Sequence, residues 1–117
     1  MRVMNEAIVT NGDMSAASIT SSMVSINQAF GFSIQGVMTG GPPTGTAKLQ
    51  GSCDPFVDLT GTGVTNWTDI TGSSVAIAAA GTFLYNVVDC EYNWVRLVYT
   101  RTAGSGTLNV RINVKGF

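Results

Sequence analysis

The chain has 117 residues, 44% hydrophobic and only 11% charged, with six basic and seven acidic side chains and a formal charge of −1. That length fits one domain with a real core and leaves no room for a second. Its scattered basic residues exclude a phosphate-neutralising face, its apolar runs fall far short of the ~20 residues of a bilayer span, and Asn5, Glu6, Asn11 and Asp13 break any secretory signal in residues 1–24.

Fourteen glycines divide the chain into short β-prone runs, the pattern of an all-β sandwich or barrel. Expected strands, in chain order, are Glu6–Thr10, Ile19–Asn27, Ala29–Met38, Gly45–Ser52, Thr68–Ile70, Ser73–Ala78, Gly81–Val88, Trp94–Thr102 and Thr107–Lys115. Ser15–Gln28 has a trace of helical spacing, but its small and β-branched residues favour strand. In the third run Phe30, Phe32 and Ile34 alternate, and Gly36 interrupts, which predicts a bulge before Val37-Met38. Gly40-Gly41-Pro42-Pro43-Thr44-Gly45 is donor-poor and reads as a tight loop. Asp54–Trp67 is the longest irregular stretch, and long loops on rigid scaffolds tend to carry recognition. In the last run Leu108, Val110, Ile112 and Val114 alternate with Asn109, Arg111, Asn113 and Lys115, so one face meets a core and the other water, and the chain is expected to end inside its sheet. Eight or nine short strands predict an all-β, single-domain, antiparallel two-sheet sandwich, with a jelly roll the expected topology. A surface so poor in charge is either coated with Thr, Ser, Asn and Gly or covered by neighbouring subunits, since interface cores are depleted of charge.

Chemistry is thin. There is no histidine, which removes the commonest general base and any Ser-His-Asp or Cys-His machinery. Two cysteines, Cys53 and Cys90, cannot build a structural zinc site and read as free structural thiols; Asp89 and Glu91 disfavour a thiolate at Cys90. Asp54 and Asp58 could offer oxygens to calcium, but no EF-hand spacing accompanies them and turn-forming is the simpler role. Gly61 and Gly63 lack the Lys-Ser/Thr of a phosphate loop. The acids are too sparse to suggest a glycosidase pair. No catalytic residue, cofactor or metal is expected. The aromatic residues are weighed differently. Phe83, Tyr85, Trp94 and Tyr99 sit in strands, where core packing is the ordinary use. Trp67 and Tyr92 lie at loop–strand junctions, where Trp67 could be a lid, a sugar platform or an interface anchor. Phe117 either tucks into the core rim or enters a neighbour. Trp67, Tyr92, Trp94 and Phe117 are thus the candidate interface or loop-end recognition residues.

An ordered series of phrases runs through residues 44–117: Pro43-Thr44-Gly45-Thr46-Ala47-Lys48-Leu49-Gln50, Asn66-Trp67-Thr68-Asp69-Ile70, Ser73-Ser74-Val75, Phe83-Leu84-Tyr85-Asn86-Val87, Trp94-Val95-Arg96-Leu97-Val98-Tyr99-Thr100 and Gly104-Ser105-Gly106-Thr107-Leu108-Asn109-Val110. The series resembles the jelly-roll cement, decoration and head-fibre-base proteins of tailed bacteriophages over about two-thirds of the chain. Two of the phrases, around Trp67 and Trp94, also look like galactose-binding-like and discoidin-like sandwiches. The phage resemblance implies a homotrimer made in the host cytoplasm that sits on the outer capsid surface of the virion, binds the major capsid protein and offers a base for a head fibre. It implies no catalytic residues, while no cofactor is expected from the residues themselves and no nucleic acid or membrane from the charge distribution and the short apolar runs. Residues 1–28 lie outside the matched region, and the resemblance suggests an N-terminal arm with the first strands, able to reach a neighbour, ahead of a sandwich core at 29–117. The alternative is a carbohydrate-binding sandwich module with Trp67, Tyr92 and Asp54 or Asp58 around a loop-end site.

Overall fold

A computed structural model describes residues 3–26, 29–55, 64–88 and 92–116. The first strands are β1 (Val3–Asp13), β2 (Ser18–Thr20), β3 (Val24–Ser25), β4 (Ala29–Thr39) and β5 (Pro43–Ser52). There follow β6 (Thr68–Asp69), β7 (Val75–Ile77), β8 (Gly81–Val88), β9 (Trp94–Gly104) and β10 (Thr107–Gly116). One sheet has the order β1-β10-β4-β8. The other runs β2-β9-β5-β6, with β3 extending β2's margin on β9 and β7 extending β6's margin on β5. Taking β2 with β3 and β6 with β7 as single broken strands leaves eight strands that change sheet at every step except from β5 to β6 and β7, which is jelly-roll order. The expected all-β two-sheet sandwich is what the chain builds.

The alternation read in the sequence fixes which side of each strand meets the core. Leu108, Val110, Ile112 and Val114 of β10 and Phe32, Ile34 and Met38 of β4 are buried on one sheet. Ala47, Leu49, Val95, Leu97 and Tyr99 face them from the other, within one continuous apolar cluster. Each buried aliphatic or aromatic side chain contributes about 1.5–3 kcal/mol of transfer free energy, so this inner layer is what holds the sheets together.

β9 and β10 flank the glycine-rich turn but lie in different sheets, so the turn is a corner of the sandwich. Gly104 and Gly106 both adopt positive φ there. The bulge expected at Gly36 is absent: β10–β4 pairing runs unbroken through Val110↔Gly36 and Asn109↔Val37. The glycine serves packing instead. A Cβ built on it would lie 2.7 Å from Phe83 Cε2 and closer still to Cε1 and Cζ, so the ring of β8 lies flat against the backbone of β4. The register shift in this pair falls at the other end, between Lys115↔Gly31 and Gly116↔Ala29.

The expected strand Ile19–Asn27 is two short pieces. Between them Ser21 N–H donates to the Leu97 carbonyl at 2.9 Å, while the Ser21 hydroxyl accepts from Leu97 N–H at 2.8 Å. A side chain thus takes the place of a backbone carbonyl, and the ladder is interrupted without leaving a buried donor bare. Asn27 lies outside the described residues. Residues 3–26 contribute β1 to one sheet and β2 and β3 to the other.

Candidate functional site

The outward side of the six-stranded sheet carries a chain of polar contacts set by cross-strand register. Gln50 of β5 lies opposite Arg96 of β9 and opposite Asp69 of β6. Arg96 Nε donates to Gln50 Oε1 at 2.8 Å. Gln50 Nε2 donates onward to Asp69 Oδ1 at 2.9 Å, and Lys48 Nζ donates to Asp69 Oδ2 at 3.0 Å. At the far end the Arg96 guanidinium stacks over the half-buried Trp67 ring, 4.3 Å from its centroid. Trp67, Arg96, Gln50, Asp69 and Lys48 therefore form one row across three strands, with every contact reading donor to acceptor or cation to π-face.

The charges respond accordingly. Hydrogen bonds from Gln50 first, then Lys48, hold the Asp69 carboxyl below the usual carboxylate range. Partial burial lowers the Arg96 pKa from its usual value.

Beside this row a cleft of ≈ 550 Å³ opens at the end of the sandwich, with Asp69 on its lip. Tyr92 forms part of its lining. Its ring lies over Gly51, where a Cβ would come 3.2 Å from Cγ and Cδ2, and meets Phe32 edge to face at 6.4 Å. Asp54 and Asn66 line it as well. Asp54 Oδ2 accepts from Thr65 N–H at 2.8 Å and from Asn66 N–H at 3.0 Å, while Oδ1 accepts from Asn66 Nδ2 at 2.8 Å. Those bonds, the Asn66 side chain's first, keep the Asp54 pKa low. The carboxylate therefore clamps residues 65–66 to the end of β5, a turn-closing role in keeping with the simpler reading of this aspartate. Asp58 lies outside the described residues, and among those described no three His, Cys, Asp or Glu side chains gather as metal ligands.

The sequence-selected residues separate. Trp67 and Tyr92 stand at the row and the cleft. Trp94 is only 1% exposed. It projects from β9 on the side away from Val95 and Leu97, with Ser52 and Ser25 opposite it on the neighbouring strands. Phe117 and Cys90 lie outside the described residues; the Cys53 thiol is exposed and also lines the cleft. Lys48, Gln50 and Arg96 were not singled out in the sequence, because only strand register brings them together.

No protein-family model and no curated protein sequence matches the chain. Solved structures do match in shape. The chain is similar to the SPBc2 prophage-derived protein YomS, with a TM-score of 0.59 at 7% identity over 96% of this chain and 93% of that one. It is similar to PirA, with a TM-score of 0.50 at 19% identity over 96% and 92%. Chitosan-binding module 1 of a chitosanase/glucanase from Paenibacillus sp. IK-5 matches with a TM-score of 0.49 at 14% identity over 95% and 92%. At such identities the likeness to the first two is one of fold alone.

Proposed function

We propose that this protein is a non-enzymatic virion subunit, a cement or decoration protein that binds the major capsid protein on the outer surface of an assembled phage head and stabilises the shell. In this reading it acts as a homotrimer, is made in the host cytoplasm, and can serve as the base of a head fibre. The observation that carries the reading is the ordered series of phrases resembling phage decoration proteins. These fall in order on β5 to β10 and their flanking residues, the larger part of the sandwich. The physics is compatible: many weak neutral contacts, repeated by symmetry, sum to a strong clamp without any deep pocket. The test is the light-scattering mass of the purified chain followed by co-sedimentation with cognate shells. A trimer that pellets at a fixed ratio to capsomers supports the reading, and a monomer that ignores shells overturns it.

A second reading, carbohydrate binding, is favoured by one specific observation. The half-buried Trp67 ring, the Arg96–Gln50–Asp69 row and the adjoining cleft combine an aromatic surface with oriented donors and acceptors, the usual components of a sugar site. Retention on a glycan column, lost in Trp67→Ala, would support this reading in place of the first.

A further inference from the structure

An exposed strand edge presents unpaired backbone N–H and C=O groups, and proteins normally guard such edges by shortness, charge, proline or bulges. Three of the four margins of this sandwich are guarded. In the six-stranded sheet β2 and β3 have three and two residues, and β6 and β7 have two and three. In the four-stranded sheet β1 is long. However, its pairing with β10 is broken by two register shifts, Asn11 adopts φ 51°, and Glu6 and Asp13 are exposed along it.

The fourth margin is different. β8 is eight residues long and pairs with β4 without a register shift from Gly81 to Val88. It contains no charged residue and no proline. Among the described residues no strand pairs with its other edge. Its outward side chains include Leu84 at 65% and Val88 at 63% exposure, the two most exposed large hydrophobic residues described.

We propose that β8 pairs antiparallel with β8 of a second copy of this chain, joining two four-stranded sheets into one continuous eight-stranded sheet. The hydrogen-bonding row of an edge specifies a β-strand as partner. The sequence of β8 specifies itself. A two-fold axis through Asn86 sets Leu84 opposite the partner's Val88 and Val88 opposite the partner's Leu84 on the outer face. It sets Tyr85 opposite the partner's Val87 on the inner face. Asn86 then faces its own counterpart, and a carboxamide both donates and accepts, so the pair is self-satisfying. An axis through Leu84 would instead leave Val88 opposite Ala80, beyond the end of the strand. Because a two-fold contact brings each on-axis group against its like, a charge near the axis would repel itself, and β8 carries none. This contact is two-fold and so distinct from the three-fold contact of the proposed trimer, whose subunits it would join in pairs to subunits of a second trimer; it uses none of the residues of the polar row or cleft, and stands on the fold alone, whether or not the chain occupies a capsid.

The test is a cross-link. In a chain with Cys53→Ser and Cys90→Ser, Asn86→Cys should give a covalent dimer on mild oxidation, since directly opposed Cβ atoms are about 4.5–5.5 Å apart. Thr82→Cys, on the same face, should not, because its counterpart then lies eight residues further along, roughly 27 Å away. In parallel, sedimentation of the native chain should show mass rising with concentration. Asn86→Lys should weaken that association by roughly two- to fivefold through like charges placed opposite one another, and Asn86→Ser should leave it nearly unchanged. Equal cross-linking at both positions, a native chain that stays monomeric with no Asn86→Cys dimer, or an association indifferent to Asn86→Lys would each overturn the proposal. Asn86→Lys that loses self-association but still pellets with shells would support this contact and leave the capsid reading standing; loss of shell binding with the β8 cross-link intact would overturn the capsid reading alone.

Discussion

Replacing Gly36 with alanine inserts a methyl group where the Phe83 ring now rests. The new carbon would sit 2.7 Å or less from three ring atoms, against the 3.5–4.0 Å of an ordinary carbon contact. The ring must therefore retreat by about 1 Å. Tyr85 is packed edge-on against it at 5.8 Å and limits movement along the strand. Overpacking of this kind costs about 1–3 kcal/mol, and the stiffer unfolded chain returns about 0.4–1 kcal/mol. The net expectation is a loss of about 1–2 kcal/mol, or roughly 5–10 °C in Tm for a chain of this size. Urea titration measures it, with the slope m unchanged. The same physics predicts compensation: Phe83→Leu alone should cost about 1–2 kcal/mol, yet the double variant should be more stable than the sum of the two losses by about 1 kcal/mol. A neutral Gly36→Ala, or strictly additive losses, would refute the account of why glycine occupies β4 here.

Three further outcomes are expected. Ser73→Ala removes the hydroxyl that accepts from the buried Leu49 N–H at 3.0 Å and donates to the Ile70 carbonyl at 2.7 Å, so stability should fall by about 1–3 kcal/mol, with faster hydrogen exchange at the Leu49 amide. Burial pushes the Tyr85 phenol up to about 12; because the folded value is raised, its contribution is complete below pH 10 and is lost as pH climbs towards 12, a decline on the order of 2 kcal/mol that Tyr85→Phe should abolish in alkaline denaturation curves. Trp67→Ala gives up the stacking with Arg96 and should cost about 1 kcal/mol with the sheet's circular dichroism retained, whereas a loss above about 3 kcal/mol would mean the ring is part of the core.

Where alternation was strict, the sequence was sufficient. Leu108 to Val114 declared both the strand and its buried face, and the runs around β4, β5, β8 and β9 were legible to within two residues. Four things were not. The interruption at Ser21 depends on a serine hydroxyl meeting Leu97, 76 residues away, which no local pattern carries. Gly36 looked like a bulge because glycine in a strand signals either a kink or a close approach, and only the position of Phe83 decides between them. The row from Trp67 to Lys48 depends on which strand neighbours which: Arg96 and Gln50 are 46 residues apart and meet because β9 and β5 are paired. Aromatic residues at loop ends could be flagged from type and place, but the polar partners that make Trp67 part of a surface could not. In β8 the run Phe83-Leu84-Tyr85-Asn86-Val87-Val88 is apolar on both faces, so the sequence did not separate Leu84 and Val88 from the core residues beside them.

The place of β10 in its sheet also governs the order of events during synthesis. It lies between β1 and β4, so neither β1 nor the inner edge of β4 has its neighbour until residues 107–116 have been made. At about 5–20 residues per second, the 94 residues from Asp13 to Thr107 take roughly 5–20 s to emerge. During that interval Ile8 and Val9 have no sheet to join, and the closure that finally recruits them spans almost the whole chain, which makes it a slow, late step. Chains stopped before β10 should remain unfolded and open to proteolysis. The four-stranded sheet thus reports that its last strand has been translated, and any assembly that uses its surface is restricted to chains that have reached that point.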